Sequence, residues 1–280
     1  MTAIKQIGYM PAYGPDSEFR FTKDYPLNIS LSVDTINFDA SSDYRILLQC
    51  EPPNLYIKFC GMVYDNYQNF DLILAYDERL LKLPNAVEFI PACSWISNDI
   101  QIDKRNQISF LMSSKINGDA YRMRFRIKKK LERLHNLEHF EIKWYRSPPL
   151  HPTKDDFFKH AKFNIACENQ IMNNMFSEKL LDCFRTYTVP IYFGCANVEK
   201  YFNPKGMIRF NSIEEFNAIL DRLHPDIYDE MKPYLEENYQ LAKDYWEKTI
   251  YQRIEHLVDQ KLTERADRAI DIINQVVLLD

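Results

Sequence analysis

The feature that most constrains the fold is a regular alternation of short apolar runs and amphipathic helical segments between residues 105 and 223. The apolar runs are 108–112, 140–144, 163–167, 189–193 and 207–210, and each has the length of a buried strand. The intervening segments at 120–134, 154–161, 178–187 and 213–223 have helical periodicity, with a helical turn predicted at 197–202. Strands that alternate with helices across short links form a parallel sheet covered on both faces.

The rest of the chain predicts a second unit of the same α/β class and a helical end. Apolar runs at 45–50, 70–75 and 87–90 are typical of strands, and the polar stretch 97–107 is the best linker. Beyond Pro225 the chain is polar and helical, with a closing helix expected at 262–279. We therefore predict two lobes that face a cleft. Their bounds are residues 1–104 and 105–225, followed by a helical segment at 226–280.

Composition restricts the ways in which such a chain can bind ligands. Only six glycines occur and no two are spaced as GxG, which excludes the dinucleotide fingerprint and the P-loop. Any phosphate must therefore be bound by a helix N-terminus and cationic side chains. A net charge of −5 argues against a nucleic-acid partner.

Location is predicted from what the sequence lacks. Six scattered cysteines without a CxxC pair are typical of reduced thiols in the cytoplasm. No apolar run reaches the ~20 residues of a membrane span, and the first residues do not resemble a signal peptide. These observations predict a soluble cytoplasmic protein without a transmembrane segment.

The densest motif lies between residues 163 and 202. The predicted strand 163–167 is followed by the polar pair Glu168-Asn169, and Ser177 is placed to cap a helix that begins with Glu178-Lys179. Loops at the carboxyl ends of parallel strands are where such sheets bind ligands. Local chemistry alone leaves two interpretations open, an ordinary helix start or a diphosphate site.

Several sequence blocks in this motif resemble the donor-binding signature of the inverting α-1,3/4-fucosyltransferases, FEN…TEKLxDA…VPIYWG…N. The matching blocks are Glu168-Asn169, Ser177-Glu178-Lys179-Leu180-Leu181-Asp182, Val189-Pro190-Ile191-Tyr192-Phe193-Gly194 and Asn197. The similarity is strong over 162–206 and weaker over 45–223. It implies a fold of the glycosyltransferase B type, with two Rossmann-like lobes facing a central cleft and C-terminal helices. It also implies an inverting enzyme that moves a sugar, most often L-fucose from GDP-fucose, onto a glycan hydroxyl.

The resemblance also assigns roles to individual residues. Glu51, in a Glu-Pro-Pro element that resembles the family's Glu-Ser-Pro, would be the general base. Arg122 and Lys179 would bind the donor diphosphate with help from Asn169, and Glu178 would accept hydrogen bonds from the ribose. Ser114, Glu168 and Asn197 are the remaining positions expected in the donor site. From the residues alone, Arg122 remains equally interpretable as a solvated cation and Glu51 as a loop carboxylate.

Two departures from the family pattern leave the sugar open. Met175 occupies the position of a family tyrosine, with Asn173 and Asn174 as alternative donors for the lost contact, and Cys167 replaces an aromatic residue. The alternatives are therefore the same fold with another nucleotide sugar, or a non-catalytic sugar- or nucleotide-binding protein. The absence of an anchor points to a bacterial or viral enzyme. The acceptor, the linkage, the pathway and the oligomeric state do not follow from the sequence.

No metal or other cofactor is expected. The string HxxEH at His135–His139 would need both histidines on one helix and a third ligand, but a strand is predicted directly after it. No two aspartates are spaced as DxD, the pattern of metal-dependent sugar transferases. The predicted ligands are a nucleotide-sugar donor and a glycan acceptor.

Overall fold

Two parallel five-stranded sheets form the framework of the molecule. The computed structural model describes residues 4–8, 21–53, 58–112, 119–134, 137–146 and 154–277. The strands of the first sheet lie between residues 5 and 88 and those of the second between residues 105 and 209. The fold is thus of the glycosyltransferase B type expected from the sequence. The domain bounds given above remain predictions.

The first lobe is built on the sheet order β1-β2-β3-β4-β5. Its strands are β1 Lys5–Ile7, β2 Ile29–Val33, β3 Tyr44–Leu48, β4 Leu72–Ala75 and β5 Ala86–Glu88. Helix α1 (Phe59–Asn66) and two 3-10 turns, Tyr67–Asn69 and Leu80–Lys82, lie between them. The three strands predicted in this lobe are confirmed, whereas β1, β2 and α1 were not predicted.

The second lobe has the sheet order β10-β9-β8-β6-β7. Its strands are β6 Arg105–Met112, β7 Glu141–Arg146, β8 Ala161–Cys167, β9 Val189–Phe193 and β10 Ile208–Arg209. Its helices are α2 Asp119–Arg133, α3 Asp155–Phe158, α4 Glu178–Arg185 and α5 Ile213–Leu220, with 3-10 turns at Val198–Lys200 and Pro204–Gly206. Every strand and helix predicted in this region is confirmed, with ends shifted by a few residues.

The strand order of the second lobe determines where a ligand can bind. After β6 the chain adds β7 on one side and then returns to add β8 on the other side of β6. Such a reversal leaves a crevice at the carboxyl ends of the two central strands. Glu168 and Asn169 follow the carboxyl end of β8, so this polar pair lies at the edge of the sheet where the crevice forms.

The C-terminal helices divide between the lobes. Helix α6 (Pro225–Ala242) packs into the core of the second lobe, and α7 (Asp244–Glu247) follows it. Helix α8 (Ile250–Val277) instead packs its first turns against the first sheet through Ile250, Tyr251, Ile254 and Val258. The closing helix therefore begins twelve residues before the predicted start at 262. Further along the same helix, Ile270 is 54% exposed.

All six cysteines are buried thiols. Within the described ranges, none of the helices has both the length and the hydropathy that crossing a bilayer requires.

The packing of α8 generates a stability prediction. Ile254 is fully buried between α8 and the first sheet, so Ile254→Ala should lower the free energy of unfolding by about 2–5 kcal/mol. Ile270→Ala on the same helix should change it by less than about 0.5 kcal/mol, because this side chain is largely exposed. Urea denaturation followed by circular dichroism measures both. Equal losses would contradict the packing of α8 on the first lobe.

Candidate active site

A cavity of about 360 Å³ lies between the two lobes. The first lobe contributes Cys50, Glu51, Pro52 and Tyr76, and the segment that joins the lobes contributes Ile90, Pro91, Ala92 and Trp95. The second lobe contributes Asn169, Met175, Phe176, Ser177, Glu178 and Lys179. The fold therefore brings four residues predicted for the site, Glu51, Asn169, Glu178 and Lys179, to the wall of one cavity.

A second cavity of about 250 Å³ adjoins the first and lies mainly in the second lobe. Four residues line both cavities, namely Trp95, Asn169, Glu178 and Lys179. Tyr121 and Arg124 of α2, Lys154 and the end of β8 complete the second cavity. The pair Glu178-Lys179 thus stands where the two cavities meet. A ligand with two unlike ends can occupy both cavities while its middle contacts this pair.

The helix start in this motif forms as the sequence predicts. Ser177 is the N-cap of α4, and its hydroxyl oxygen accepts a hydrogen bond from the Lys179 backbone N–H at 3.3 Å. Its own backbone N–H and hydroxyl donate to the Glu168 carboxylate at 2.9 and 2.6 Å. The anion at the N-terminus of α4 is therefore a side chain of the protein itself.

Glu168 positions the site and does not line it. Its side chain is fully buried and contributes to neither cavity wall. Burial raises the pKa of its carboxyl, although Lys179 and the two hydrogen bonds from Ser177 oppose this rise. The structure places Glu168 beneath the first turn of α4, and the donor contact expected for it stays a prediction.

Lys179 is held between two carboxylates. Its Nζ donates to Ser177 Oγ at 3.1 Å and to Glu178 Oε1 at 2.9 Å, and lies 3.8 Å from Glu168 Oε2. Burial lowers the pKa of Lys179, but the negative charges of Glu178 and Glu168 outweigh it and raise the pKa overall. An ammonium has three hydrogens. Among the described residues, two acceptors, Ser177 Oγ and Glu178 Oε1, lie within hydrogen-bonding distance of this group, which also lines both cavities.

Glu178 is ionised by its neighbours. Burial raises the pKa of its carboxyl, but the charges of Lys179 and Lys154 outweigh burial and lower the pKa to about 2. An ionised carboxylate is purely a hydrogen-bond acceptor. Glu178 is therefore suited to accept hydrogen bonds from the hydroxyl groups of a ligand.

The arginine at the cavity is Arg124, whereas the sequence predicted Arg122. Arg122 lies on the exposed side of α2, and two residues along a helix correspond to a rotation of about 200°. Arg124 is 2% exposed, stacks on Tyr121 with 4.8 Å between the guanidinium carbon and the ring centre, and lines the second cavity. Its Nη2 donates to Asn169 Oδ1 at 2.9 Å and to the Cys167 carbonyl. Arg122 lines neither cavity, and a donor-binding role for either arginine stays a prediction.

A second ionic group at the cavity was not found from the sequence. Lys154 Nζ lies 2.5 Å from Asp182 Oδ2, 3.9 Å from Glu178 Oε1 and 4.6 Å from the centre of the Trp95 ring. The other Asp182 oxygen accepts hydrogen bonds from the Ser94 hydroxyl and the Trp95 backbone N–H at 2.8 and 2.7 Å. Asp182 was quoted above as part of a motif block. Its partners lie about 30 and 90 residues away in sequence, so no local pattern indicates them.

Glu51 follows β3 and is positioned by its backbone. Its N–H donates to Asp34 Oδ2 at 3.0 Å, and the preceding N–H of Cys50 donates to Asp34 Oδ1 at 2.8 Å. Pro52 follows it and restricts Glu51 to extended backbone conformations. Glu51 lies on the first-lobe side of the larger cavity, opposite Lys179 on the second-lobe side.

Asn173, Asn174 and Asn197 hold the loop before α4 and line neither cavity. Asn197 Oδ1 accepts from the Asn174 backbone N–H at 2.8 Å, and its Nδ2 donates to Asn174 Oδ1 at 2.9 Å. Asn174 Nδ2 donates to the Tyr76 carbonyl at 3.2 Å, and Asn173 Nδ2 donates to Glu78 Oε1 at 2.9 Å. In the structure these three residues support the loop, and the donor roles considered for them stay predictions.

Two further sequence expectations concern Ser114 and the metal-like string. Ser114 and His135 lie outside the described residues. Helix α2 ends at Arg133 and strand β7 begins at Glu141, so the helix ends where the sequence predicts. The described part of the chain holds no cluster of three or more His, Cys, Asp or Glu side chains arranged for a metal ion.

Comparisons with known proteins place the chain in a family. The model for the C-terminal part of glycosyltransferase family 10, described as fucosyltransferase, matches residues 102–267, more than half of the chain. The chain therefore belongs to glycosyltransferase family 10.

Two curated relatives are similar over short segments. An alpha-(1,3)-fucosyltransferase of Helicobacter pylori is 34% identical over 68 residues, which are 24% of this chain and 14% of that protein. An alpha-(1,4)-fucosyltransferase of Arabidopsis thaliana is 36% identical over 89 residues, which are 31% of this chain and 21% of that protein. The matched segments thus span about a fifth or less of the relatives' lengths.

Solved structures show a similar fold at low identity. A structure described as a GtfA/B complex covers 84% of this chain and 57% of its own, with a TM-score of 0.50 and 9% identity. An alpha1,3-fucosyltransferase crystallised with GDP-fucose covers 75% of this chain and 69% of its own, with a TM-score of 0.48 and 18% identity.

The close packing around Glu168 predicts that adding a methyl group at Gly194 destabilises the protein. A Cβ added at Gly194, at the end of β9, would overlap Glu168 Cγ and Tyr192 Oη, which are both buried. Gly194→Ala should therefore lower the free energy of unfolding by about 1–3 kcal/mol. Gly61→Ala in α1 is the matched control, because nothing lies within 4 Å of its added Cβ and alanine favours a helix. Urea denaturation that shows equal effects for the two variants would refute the close packing on Glu168.

The ionisation of Glu178 predicts a pH dependence of stability. Its folded pKa of about 2 lies below the unfolded value, so its ionised form stabilises the fold above about pH 4.5, and this is lost as the pH falls through 2. Between pH 6 and pH 2 the stability difference between wild type and Glu178→Gln should therefore shrink by ~3 kcal/mol. Urea denaturation at several pH values measures it. Glu214→Gln, an exposed first-turn glutamate of α5, is the control, and a difference for Glu178→Gln that is constant with pH would contradict the prediction.

Proposed function

We propose that this family 10 member is an inverting glycosyltransferase that moves L-fucose from GDP-fucose onto a hydroxyl group of a glycan. One observation carries the proposal. A single interlobe cavity has a carboxylate, Glu51, on one wall and the Lys179 ammonium on the other. Inverting transfer needs both groups, one to deprotonate the acceptor and one to stabilise the leaving group.

The donor occupies both cavities in this proposal. Its nucleoside lies in the second cavity, where Glu178 accepts hydrogen bonds from the ribose hydroxyls. Its diphosphate lies where the cavities meet and is contacted by Lys179 and Arg124, with Asn169 holding the guanidinium. Arginine provides forked contacts to phosphate oxygens, whereas lysine acts as a compact charge. The sugar then extends into the larger cavity towards Glu51.

The reaction is a single displacement. Glu51 takes the proton of the acceptor hydroxyl, and the acceptor oxygen forms a bond to the anomeric carbon from the face opposite the diphosphate. The bond between the anomeric carbon and the diphosphate oxygen breaks, and its electron pair leaves with the diphosphate. Lys179 and Arg124 stabilise the negative charge that develops there. The chain's own charges supply both functions, so we propose no metal as an essential ligand.

The wall of the larger cavity bears on which sugar the donor carries. Met175 lies in the wall of the larger cavity and offers a thioether where the family pattern has a tyrosine hydroxyl. An apolar wall at this position favours a sugar that presents an apolar group to it. Fucose has such a group, because it carries a methyl group. Another nucleotide sugar on the same fold is the rival that the binding experiment below separates.

Calorimetric titration with GDP, UDP, CMP and GDP-fucose tests the donor site. We expect selective binding of GDP and GDP-fucose. Arg124→Ala should weaken it about 10- to 100-fold, because a charged hydrogen-bonding group is lost from the cavity wall. Arg122→Ala is the matched control on the same helix and should change the affinity by less than about twofold, because Arg122 is exposed.

The same experiment defines the outcomes that count against the proposal. Release of GDP from GDP-fucose in the presence of a panel of oligosaccharides should detect transfer by the wild-type protein. Selective binding of another nucleotide would remove fucose from the proposal, and equal losses in both arginine variants would remove Arg124 from the site. Binding of GDP without transfer to any oligosaccharide or to water would favour a non-catalytic nucleotide-binding protein. Melting temperatures of both variants separate lost binding from lost folding.

A further inference from the structure

The residue that holds the backbone of Glu51 is Asp34, which lies at the end of the neighbouring strand. Strand β2 ends at Val33, and Asp34 then adopts a left-handed backbone conformation with a φ of 49°. Its own N–H donates to the Leu48 carbonyl at 3.0 Å, which continues the pairing of β2 with β3. The left-handed turn is uncommon for a residue with a Cβ, and aspartate and asparagine tolerate it best.

Both carboxylate oxygens of Asp34 accept hydrogen bonds from the backbone N–H groups of two consecutive residues. Oδ1 accepts from the Cys50 N–H at 2.8 Å and Oδ2 accepts from the Glu51 N–H at 3.0 Å. The two amides belong to the second and third residues beyond the carboxyl end of β3, after Gln49, whose N–H donates to the Leu74 carbonyl at 2.9 Å. A carboxylate that accepts two bonds fixes the direction of this peptide more strictly than a single hydrogen bond does.

The same peptide is held from its other side. The Tyr76 hydroxyl donates to the Cys50 carbonyl at 3.2 Å, and Tyr76 is 2% exposed. Pro52 restricts the conformation on the following side of Glu51. The backbone on either side of Glu51 is therefore fixed by three separate elements, namely the end of β2, the residue after β4 and the proline.

Burying the carboxylate of Asp34 costs free energy, because its charge loses hydration. Burial raises its pKa to about 6, because the two amide hydrogen bonds only partly replace the lost hydration, and the nearby Glu51 charge adds to the rise. A glycine would allow the left-handed turn without this cost. The feature that glycine cannot supply is the double contact to the Cys50 and Glu51 amides.

We propose that Asp34 is the positioning residue for Glu51, setting the direction from which this carboxylate reaches the acceptor hydroxyl. The inference rests on the proposed role of Glu51 as general base. Asp34 is absent from both cavity walls, so it acts through the Cys50–Glu51 peptide and does not contact the substrate. A displacement of the base by about 1 Å lowers the rate of transfer while leaving the donor site of the second lobe intact.

The test is Asp34→Asn. Asparagine keeps the left-handed turn, but its amide can accept only one of the two N–H groups and presents an NH₂ group to the other. With GDP-fucose and the panel oligosaccharide of highest turnover, kcat should fall at least about tenfold. The KM for GDP-fucose and the calorimetric affinity for GDP should stay within about twofold. Asp43→Asn is the matched control, because Asp43 also accepts a backbone N–H in the first lobe, from Asn28 at 2.9 Å, but is exposed and lines neither cavity.

A double-mutant comparison separates positioning from general destabilisation. Glu51→Gln alone should reduce transfer strongly, and Asp34→Asn added to it should lower the remaining single-turnover rate by less than about twofold. If Asp34→Asn unfolds the protein, Asp34→Gly removes the carboxylate and keeps the positive φ. Melting temperatures accompany every variant.

The outcomes distinguish the two proposals. Unchanged kcat in both Asp34 variants, a parallel loss of GDP affinity, or a full further loss in the Glu51→Gln background would each overturn the role of Asp34 alone. Failure of the Asp34→Gly variant to fold would likewise show a purely structural role. Full transfer by Glu51→Gln, or no transfer by the wild-type protein, would overturn the proposed function itself.

Discussion

The buried contact between Glu168 and Ser177 fixes the start of α4 at the wall of the cleft. It joins the carboxyl end of β8 to the first turn of α4, and it does so with two hydrogen bonds to one carboxylate. A buried carboxylate is expensive unless it is fully hydrogen-bonded or paired. Glu168 meets this condition through Ser177 and the nearby Lys179 ammonium. Gly194 leaves the space that its side chain needs. The placement of Glu178 and Lys179 at the meeting point of the two cavities follows from this contact.

The elements that carry the cavity-lining residues also hold the lobes together. Asp182 of α4 accepts hydrogen bonds from Ser94 and Trp95 in the segment that joins the lobes. Asn174, in the loop before α4, donates to the Tyr76 carbonyl of the first lobe, and Tyr76 in turn contacts the peptide before Glu51. A continuous chain of contacts therefore links the wall that bears Lys179 to the wall that bears Glu51. Lys179 and Glu51 are therefore held relative to each other by hydrogen bonds as well as by the packing of the lobes.

The sequence predicts those parts of the fold that have a local period. Apolar runs separated by amphipathic segments locate all five strands of the second lobe, and the N-cap at Ser177 is confirmed. Strand β2 was missed because Ser30 and Ser32 break the apolar run, although all five of its residues are buried in the sheet. The site is predicted in part, since a linear motif shows which residues occur but not which way they face. The side of the fold on which α8 packs depends on the tertiary structure and has no local signal.

Arg124 lines the second cavity and was not predicted from the sequence, although its position on the helix indicates that it is buried. It is four residues after Ala120 and three before Ile127, so it lies on the buried stripe of α2, and a cation on an apolar stripe needs a polar partner. Arg122 lies about 200° away, on the exposed side. Helical phase alone therefore selects Arg124 from the three arginines of this basic run, without any knowledge of the fold. For Asp182 and Lys154 no such rule applies. Burying either charge is strongly unfavourable unless the other lies beside it. The two residues meet only when α4 and the residue before α3 come together in the folded protein.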